Sequence, residues 1–451
     1  MRTIRILAAV ALAALPLSRA AAQAEAPQPL TLQQALRIAE ENNPAYRRAQ
    51  TELGTSEADR RRTRGAFLPT LSLRFSNSGS YSRVFTGTGQ FGEPVVRDDP
   101  LETRGSNSSQ SLNIGGVTLF DGGQRLGDMR ASRAGYLATE QRIETEGLRV
   151  RSEVTRRYFD ALKSQRLIRL EEDLLKSAQD RLEVVRGLVR VGVRGPLDVL
   201  TSEVTVAEQE QALQRARGEA RKTELDLRQS MGVLDERPIL LVDEPPAVFD
   251  PSALDPQVLV ARTLSTHPRV QRSQLLATQA GHRVRSARAA RLPRLSLTLS
   301  AGRRQGFKGY DGLLETNPLD QSLSMGFDVS VPIFNQFNTS YQIQSARAQE
   351  VSAREDVRTE RLQAERDVRG ALIDLDNSYR AVQNAERSLQ LNRRRLELAQ
   401  QQYRVGALGL NDLTDAVEKA ARAERDHVRV RFEFAASLAQ LEEKLGGPLQ
   451  P

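Results

Sequence analysis

Residues 321–331 read Gln-Ser-Leu-Ser-Met-Gly-Phe-Asp-Val-Ser-Val. Leu323, Met325, Phe327, Val329 and Val331 alternate with Ser322, Ser324, Gly326, Asp328 and Ser330. Successive side chains of an extended chain point to opposite sides, so this stretch predicts a strand with one apolar and one polar face. Leu71, Leu73 and Phe75 alternate in the same way with Ser72, Arg74 and Ser76. So do Leu295, Leu297, Leu299 and Ala301 with Ser296, Thr298 and Ser300. A weaker pattern, broken at Gly115-Gly116, runs from Ser111 to Leu119. Strands are therefore expected at 67–78, 109–120, 293–303 and 321–333. A length of about ten residues fits a strand crossing an outer membrane, although a soluble antiparallel sheet shows the same alternation. Twelve of the 21 aromatic residues lie in 67–120 and 301–341. Girdles at membrane interfaces require such clustering, and the core of a soluble head would also produce it. The links 77–110 and 302–321 are rich in Gly, Ser, Asn and Asp and read as loops.

Outward from these strands the character changes. Residues 124–190 contain no Pro and few Gly and are rich in Arg, Glu, Leu and Ala, and 337–404 read the same way. A helix of about 67 residues would be about 100 Å long and must pack lengthwise against other helices. Sharp turns are expected at 191–197 and 405–411, followed by helices over 198–232 and 412–445. Helix tips and strand loops then lie at opposite ends of a long object. A solvated coiled-coil scaffold of the periplasm or cell surface is the alternative, and it leaves the strands unexplained.

The chain repeats itself once. Asn43-Pro44 is echoed by His267-Pro268, and Leu68-Pro69-Thr70-Leu71-Ser72-Leu73 by Leu292-Pro293-Arg294-Leu295-Ser296-Leu297. Thr118-Leu119-Phe120 matches Pro332-Ile333-Phe334, Val191-Gly192 matches Val405-Gly406, Asp198 matches Asp412, and Met231-Gly232 matches Leu445-Gly446. Two structural repeats are expected, 25–245 and 246–447. So long a period indicates a duplicated domain rather than a solenoid. Four strands cannot close a membrane barrel, which needs about eight, and an open edge is not tolerated in lipid. If the strands are in a membrane, several chains share one barrel.

The termini and composition narrow the class further. Arg2 and Arg5, an apolar run from Ile6 to Leu17, and Ala22-Gln23-Ala24 have the form of a signal peptide, 1–24, cleaved after Ala24. No Cys follows the run, so the mature N-terminus cannot be acylated through a thioether. Cys is absent throughout, which excludes disulfides and thiolate metal sites. No later apolar stretch is long enough for a transmembrane helix. The formal charge is +8, and loss of Arg2, Arg5 and Arg19 with the signal would leave +5. The basic residues are interleaved with acids along helical stretches, which reads as solvated faces and not as a nucleic-acid surface. His267, His282 and His427 are in no ligand spacing. No phosphate loop, nucleotide fingerprint or nucleophile elbow is present. Paired acids such as Glu171-Glu172 and Glu442-Glu443 read as solvated helix surface. No catalytic site, cofactor or metal is expected.

The ordered set Leu30-Thr31-Leu32, Glu41-Asn42-Asn43-Pro44, Leu68-Pro69-Thr70-Leu71, Thr118-Leu119-Phe120-Asp121-Gly122-Gly123, Val331-Pro332-Ile333-Phe334 and Tyr403-Arg404-Val405-Gly406 with Asp412 resembles the TolC-like outer-membrane efflux protein family. The resemblance spans nearly all of the chain after the signal. It implies a mainly α fold with membrane β structure: a homotrimer with a twelve-stranded barrel in the outer membrane of a Gram-negative bacterium and a long helical barrel in the periplasm. It also implies a passive duct for efflux or type I secretion, with an inner-membrane transporter and a periplasmic adaptor as partners. The adaptor would dock at Val191, Gly192, Val405 and Gly406. Tyr403, Asp412 and Asp415 match gate positions of the family, and Asp198 matches their acidic partner on the other hairpin. Where a latching Arg is expected this chain has Leu408, and Arg194 stands at the equivalent place of the first repeat. Asp412 and Asp415, three apart at a helix start, share a face and would form two acidic rings in a trimer. Arg194 and Arg404 are candidate compensating cations. The bland reading of Asp198, Asp412 and Asp415 is that they only cap their helices.

Overall fold

The computed structural model describes residues 28–88, 90–234 and 239–449. The expected signal peptide lies outside the described residues. The elements run β1 (Gln28–Leu30), α1 (Leu32–Asn42), α2 (Pro44–Gly65), β2 (Thr70–Thr88), β3 (Pro94–Phe120), α3 (Gln124–Arg190) and α4 (Pro196–Met231). The order then recurs as β4 (Ile239–Leu241), α5 (Pro256–Thr266), α6 (Pro268–Ala289), β5 (Arg294–Lys308), β6 (Asp320–Ser330), α7 (Asn338–Arg404) and α8 (Leu410–Leu445). Corresponding helices have equal lengths: 11 residues in α1 and α5, 22 in α2 and α6, 67 in α3 and α7, and 36 in α4 and α8.

Local chemistry sets the helix starts. The Asn43 side chain accepts hydrogen bonds from the N–H groups of Ala45 and Tyr46, and Pro44 occupies the first turn, where no N–H is needed. In the second repeat His267 takes the cap, its Nδ1 accepting from Arg269 N at 3.2 Å, with Pro268 following. At the strand-to-helix corner the buried Asp121 accepts from Gly123 N at 3.0 Å and from Arg125 Nε at 2.6 Å. Gly122 and Gly123 have positive φ, and their counterparts in the second repeat are Gln336 and Phe337, at φ 55° and 63°.

The two hairpins α3–α4 and α7–α8 lie side by side, with α3 against α6 and α8. At 1.5 Å per residue the long helices are about 100 Å. Three apolar clusters hold them. One surrounds Tyr158, Leu227 and Phe432 near the short β1–β4 pair. A second surrounds Val368, Leu375 and Phe434. The third sits behind the tips, around Val185, Tyr403 and Leu413.

The remaining strands form one antiparallel sheet in the order β2-β3-β5-β6, so β2 and β6 are its edges. Leu71, Leu73, Phe75, Leu323, Met325, Phe327 and Val329 all stand exposed. The glycine break at 115–116 is a register shift in an unbroken β3, between Ile114 and Val117. The links read as loops are corrected. Most of 77–110 is paired strand, Asn77 with Ser108 through Val84 with Leu101, and β5 continues to Lys308. The pairing continues where the outward residues turn from apolar to polar, as at Asn77 and Ser108, so the alternation in hydropathy stops before the ladder does. Residues 309–319 are a genuine link, with a 3-10 turn at Asp311–Leu314.

Candidate functional site

The tip turns follow from glycine. The helix α3 ends at Arg190 with Val191 as its C-cap, and Gly192 takes φ +76°, with Val193 N bonded back to Leu188 O at 2.9 Å. The second tip repeats this at Val405 and Gly406, φ +79°, with Ala407 N bonded to Gln402 O at 2.9 Å. A left-handed residue here reverses the chain while satisfying the last carbonyls, and a Cβ would strain it. Val191 and Val405 are 70% and 80% exposed, and nothing lies within 4 Å of the place a Cβ would take on Gly192 or Gly406.

Behind the tips the two hairpins are tied together. Arg194 reaches from the first turn to the second. Its Nη2 donates to the carbonyls of Tyr403 at 3.0 Å and Leu408 at 3.1 Å. Its guanidinium lies 4.3 Å from the centre of the Tyr403 ring. The buried Tyr403 hydroxyl donates to Asp198 Oδ2 at 3.4 Å. Burial and the neighbouring Asp198 carboxylate hold the phenol above its ordinary pKa, so it stays protonated as a donor. Residue 408 thus receives an arginine through its backbone, from the other repeat.

The aspartates do not cap. Both helices start at glycine, Gly195 and Gly409, with no side-chain cap bond. Asp198 and Asp412 lie in the first turns, where the helix dipole favours a negative charge. Asp415 is neutralised locally: Lys419 Nζ is 3.0 Å away and Arg395 Nη2 is 2.6 Å away. These cations, Lys419 foremost, hold its carboxyl below the usual range. Asp412 makes no ion pair among the described residues. Arg404 lines a cavity of about 180 Å³ between the hairpins, together with Arg181, Tyr403, Leu413 and Val417.

Arg395 and Lys419 carry no motif and were not singled out in the sequence. Neither was the contact that joins α3 to α8 farther from the tips. There Arg425 makes a two-pronged pair with Glu171, at 2.6 and 2.8 Å. Glu171 is buried, which corrects its reading as solvated helix surface. Among the described residues no group of His, Asp or Glu is placed to hold a metal, and no helix is long and apolar enough to cross a membrane.

A sequence model described as outer membrane efflux protein matches residues 35–233 and 259–447. The chain is 25% identical over 239 residues to the outer membrane efflux protein BepC of Brucella suis, a match covering 53% of this chain and 50% of that protein. It is 24% identical over 436 residues to the probable efflux pump outer membrane protein TtgC of Pseudomonas putida, covering 92% and 83%. Among solved structures, the CmeC outer membrane channel of Campylobacter jejuni shares the fold with a TM-score of 0.75 at 19% identity, over 92% of this chain and 85% of that one. The open-state MtrE channel of Neisseria gonorrhoeae does so with 0.70 at 20% identity, over 92% and 89%. Open-edged sheet, paired helical hairpins and a family match across both repeats lead to one conclusion: the chain belongs to the outer membrane efflux protein family, with a TolC-like fold.

Proposed function

We propose that this chain is the passive exit duct of a tripartite efflux or type I secretion system, working as a homotrimer and gated at its periplasmic tips. The observation that carries the reading is the four-stranded sheet left open at β2 and β6. Three copies would close a twelve-stranded barrel and bring six helical hairpins around one axis. The duct would take its driving force from an inner-membrane transporter, through a periplasmic adaptor docked on Val191, Gly192, Val405 and Gly406. Exposure of both valines and the open space at both glycines support that surface.

The gate reading places Arg194, Tyr403 and Asp198 as the contact that keeps neighbouring hairpins together, with Asp412 as an acidic ring at the constriction. Asp415, already paired with Arg395 and Lys419, contributes less field there. Arg404, beside Tyr403 in the cavity, remains a candidate counter-charge. Conductance of the purified protein in planar bilayers, with export assays on Gly406→Trp, tests the proposal. A cation-selective, low-conductance channel is expected, and Gly406→Trp should block export while leaving membrane insertion intact. A protein confined to the soluble periplasm with no conductance would instead support a coiled-coil scaffold.

A further inference from the structure

The link 309–319 lies against the sheet, and strand alternation tells which face it covers. Pairing from Thr70 to Val84 is continuous, so Asn77 and Gly79 stand on the same face as Leu71, Leu73 and Phe75. Their partners Ser108 and Ser106 share that face, as do Gln305 and Phe307 on β5. A Cβ on Gly79 would meet the Tyr310 ring at 3.2 Å and Leu313 Cδ2 at 3.4 Å. The link is therefore a strap on the apolar, outward side of the sheet and not over the polar side that would line a lumen.

The strap's backbone is paired by side chains of that face. Gly312 N donates to Ser106 Oγ at 3.0 Å, and Asn77 Nδ2 donates to the carbonyls of Leu313 and Glu315 at 2.9 and 3.2 Å. Ser108 Oγ donates to Glu315 O at 2.8 Å, and Leu319 N donates to Gln305 Oε1 at 3.1 Å. Irregular backbone is tolerated beside lipid only when protein satisfies its polar groups in this way. The strap in turn presents Leu314, 89% exposed, and Leu319, 71% exposed.

Height completes the argument. On β5 the outward residues are apolar from Leu295 to Ala301, six steps that rise about 15 Å at about 3.3 Å per residue and a tilt of about 40°. An outer-membrane barrel presents an apolar band about 25 Å tall. Above Ala301 come Arg303 and Gln305, outward and polar, at the level the strap covers. Ten steps from Leu295 to Gln305 rise about 25 Å by the same geometry. We propose that the 309–319 strap forms the upper part of the lipid-facing band, with Leu314 and Leu319 in contact with the acyl chains of the outer leaflet. The proposal rests on the barrel being in the outer membrane, and the test separates the two.

The chain has no Cys, so Leu314→Cys, Leu319→Cys, Met325→Cys and Val405→Cys can each carry one environment-sensitive fluorophore without background. The labelled full-length channels are reconstituted in phosphatidylcholine vesicles whose acyl chains are brominated near the headgroup, with iodide as the aqueous quencher. Labels at 314, 319 and 325 should be quenched by bromine and protected from iodide, and the label at 405 should show the reverse. If 325 is quenched by bromine but 314 and 319 respond to iodide, the strap faces water and the proposal fails. If 314 and 319 are shielded from both quenchers, a neighbouring protomer covers them and it also fails. If 325 itself escapes bromine, the membrane reading falls with it. A Cβ on Gly312 would lie 2.1 Å from the Phe307 ring, so Gly312→Val should lift the strap. It should abolish bromine quenching at 314 and leave that at 325 unchanged. Persistent quenching at 314 in that variant would show that seating on the sheet does not place it.

Discussion

Arg194 and Tyr403 divide the tip contact unequally. The Tyr403–Asp198 bond is long at 3.4 Å, whereas Arg194 makes two shorter bonds and stacks on the Tyr403 ring. A hydrogen bond with one charged partner is worth about 1.5–3 kcal/mol at good geometry; both contacts are of that kind, but Arg194 makes two of them at shorter range. Tyr403→Phe should raise the resting conductance modestly and Arg194→Ala considerably more, as read in single-channel recordings. Equal effects would mean that the phenol, not the guanidinium, sets closure. The two aspartates also separate. Asp412→Ala should carry most of the loss of cation selectivity, and adding Asp415→Ala should change little, measured as reversal potential across a KCl gradient. Arg395→Ala should restore the influence of Asp415 and increase selectivity. Tyr403 and Asp412 were singled out by the family resemblance and Asp198 by its match to Asp412 in the other repeat; the structure puts the Tyr403 hydroxyl at 3.4 Å from Asp198. Arg395 and Lys419 were not legible, since one basic residue on a polar helix face looks like another until the phase of the facing helix is known.

At the level of the element, the helices owe their length to uninterrupted helix formers and their order to a few specific contacts. The Glu171–Arg425 pair joins α3 to α8, with Glu171 buried and Arg425 one-third exposed. Breaking such a pair strands a buried charge, so Arg425→Met should destabilise by about 3 kcal/mol. Glu171→Leu combined with Arg425→Met should recover much of that, as seen in thermal unfolding by circular dichroism. The pH dependence of the α6 start follows from His267, whose pKa burial lowers below the ordinary value. Its Nδ1 caps the helix as an acceptor, a role only the unprotonated ring can play. The unfolded chain binds the proton first, so the contribution is fully present above about pH 6.5 and is lost as pH falls. His267→Asn, which keeps a capping oxygen, should flatten that acid-side decline. An unchanged pH profile would place the titration elsewhere. The strands were legible only in part. The apolar alternation of 321–331 announced β6, but the upper halves of β2 and β3 carry polar residues on both faces and read as loop.

For the whole molecule, the sheet is the part that does not close on itself. Because β2 and β6 each leave one edge unpaired, the protein extracted in detergent should have the mass of three chains. A stable monomer by native mass spectrometry or light scattering would contradict a shared barrel. The paired motifs predict two repeats, and the elements recur in one order with equal helix lengths; the long helices follow from the absence of Pro. The outward strap was not legible, because its seat is built from Asn77, Ser106 and Ser108, residues that taken singly mark a loop. Nor was the corner at Gln336 and Phe337, where the second repeat adopts left-handed backbone without the glycines of the first.

The equal helix lengths of the two repeats act as a ruler. With 67 residues descending and 36 returning in each hairpin, both turns end at one depth, like the rim of a squarely cut pipe. One extra helical turn in a single arm would displace its tip by about 5.4 Å, enough to pull the Arg194 contact out of register. Insertions and deletions in these helices are then permissible only as matched sets, in both arms of both hairpins. Identity to the channels of known structure is about a fifth, and within this chain the two repeats differ in sequence while the count between corner and tip is the same in both. What the two repeats share is a distance.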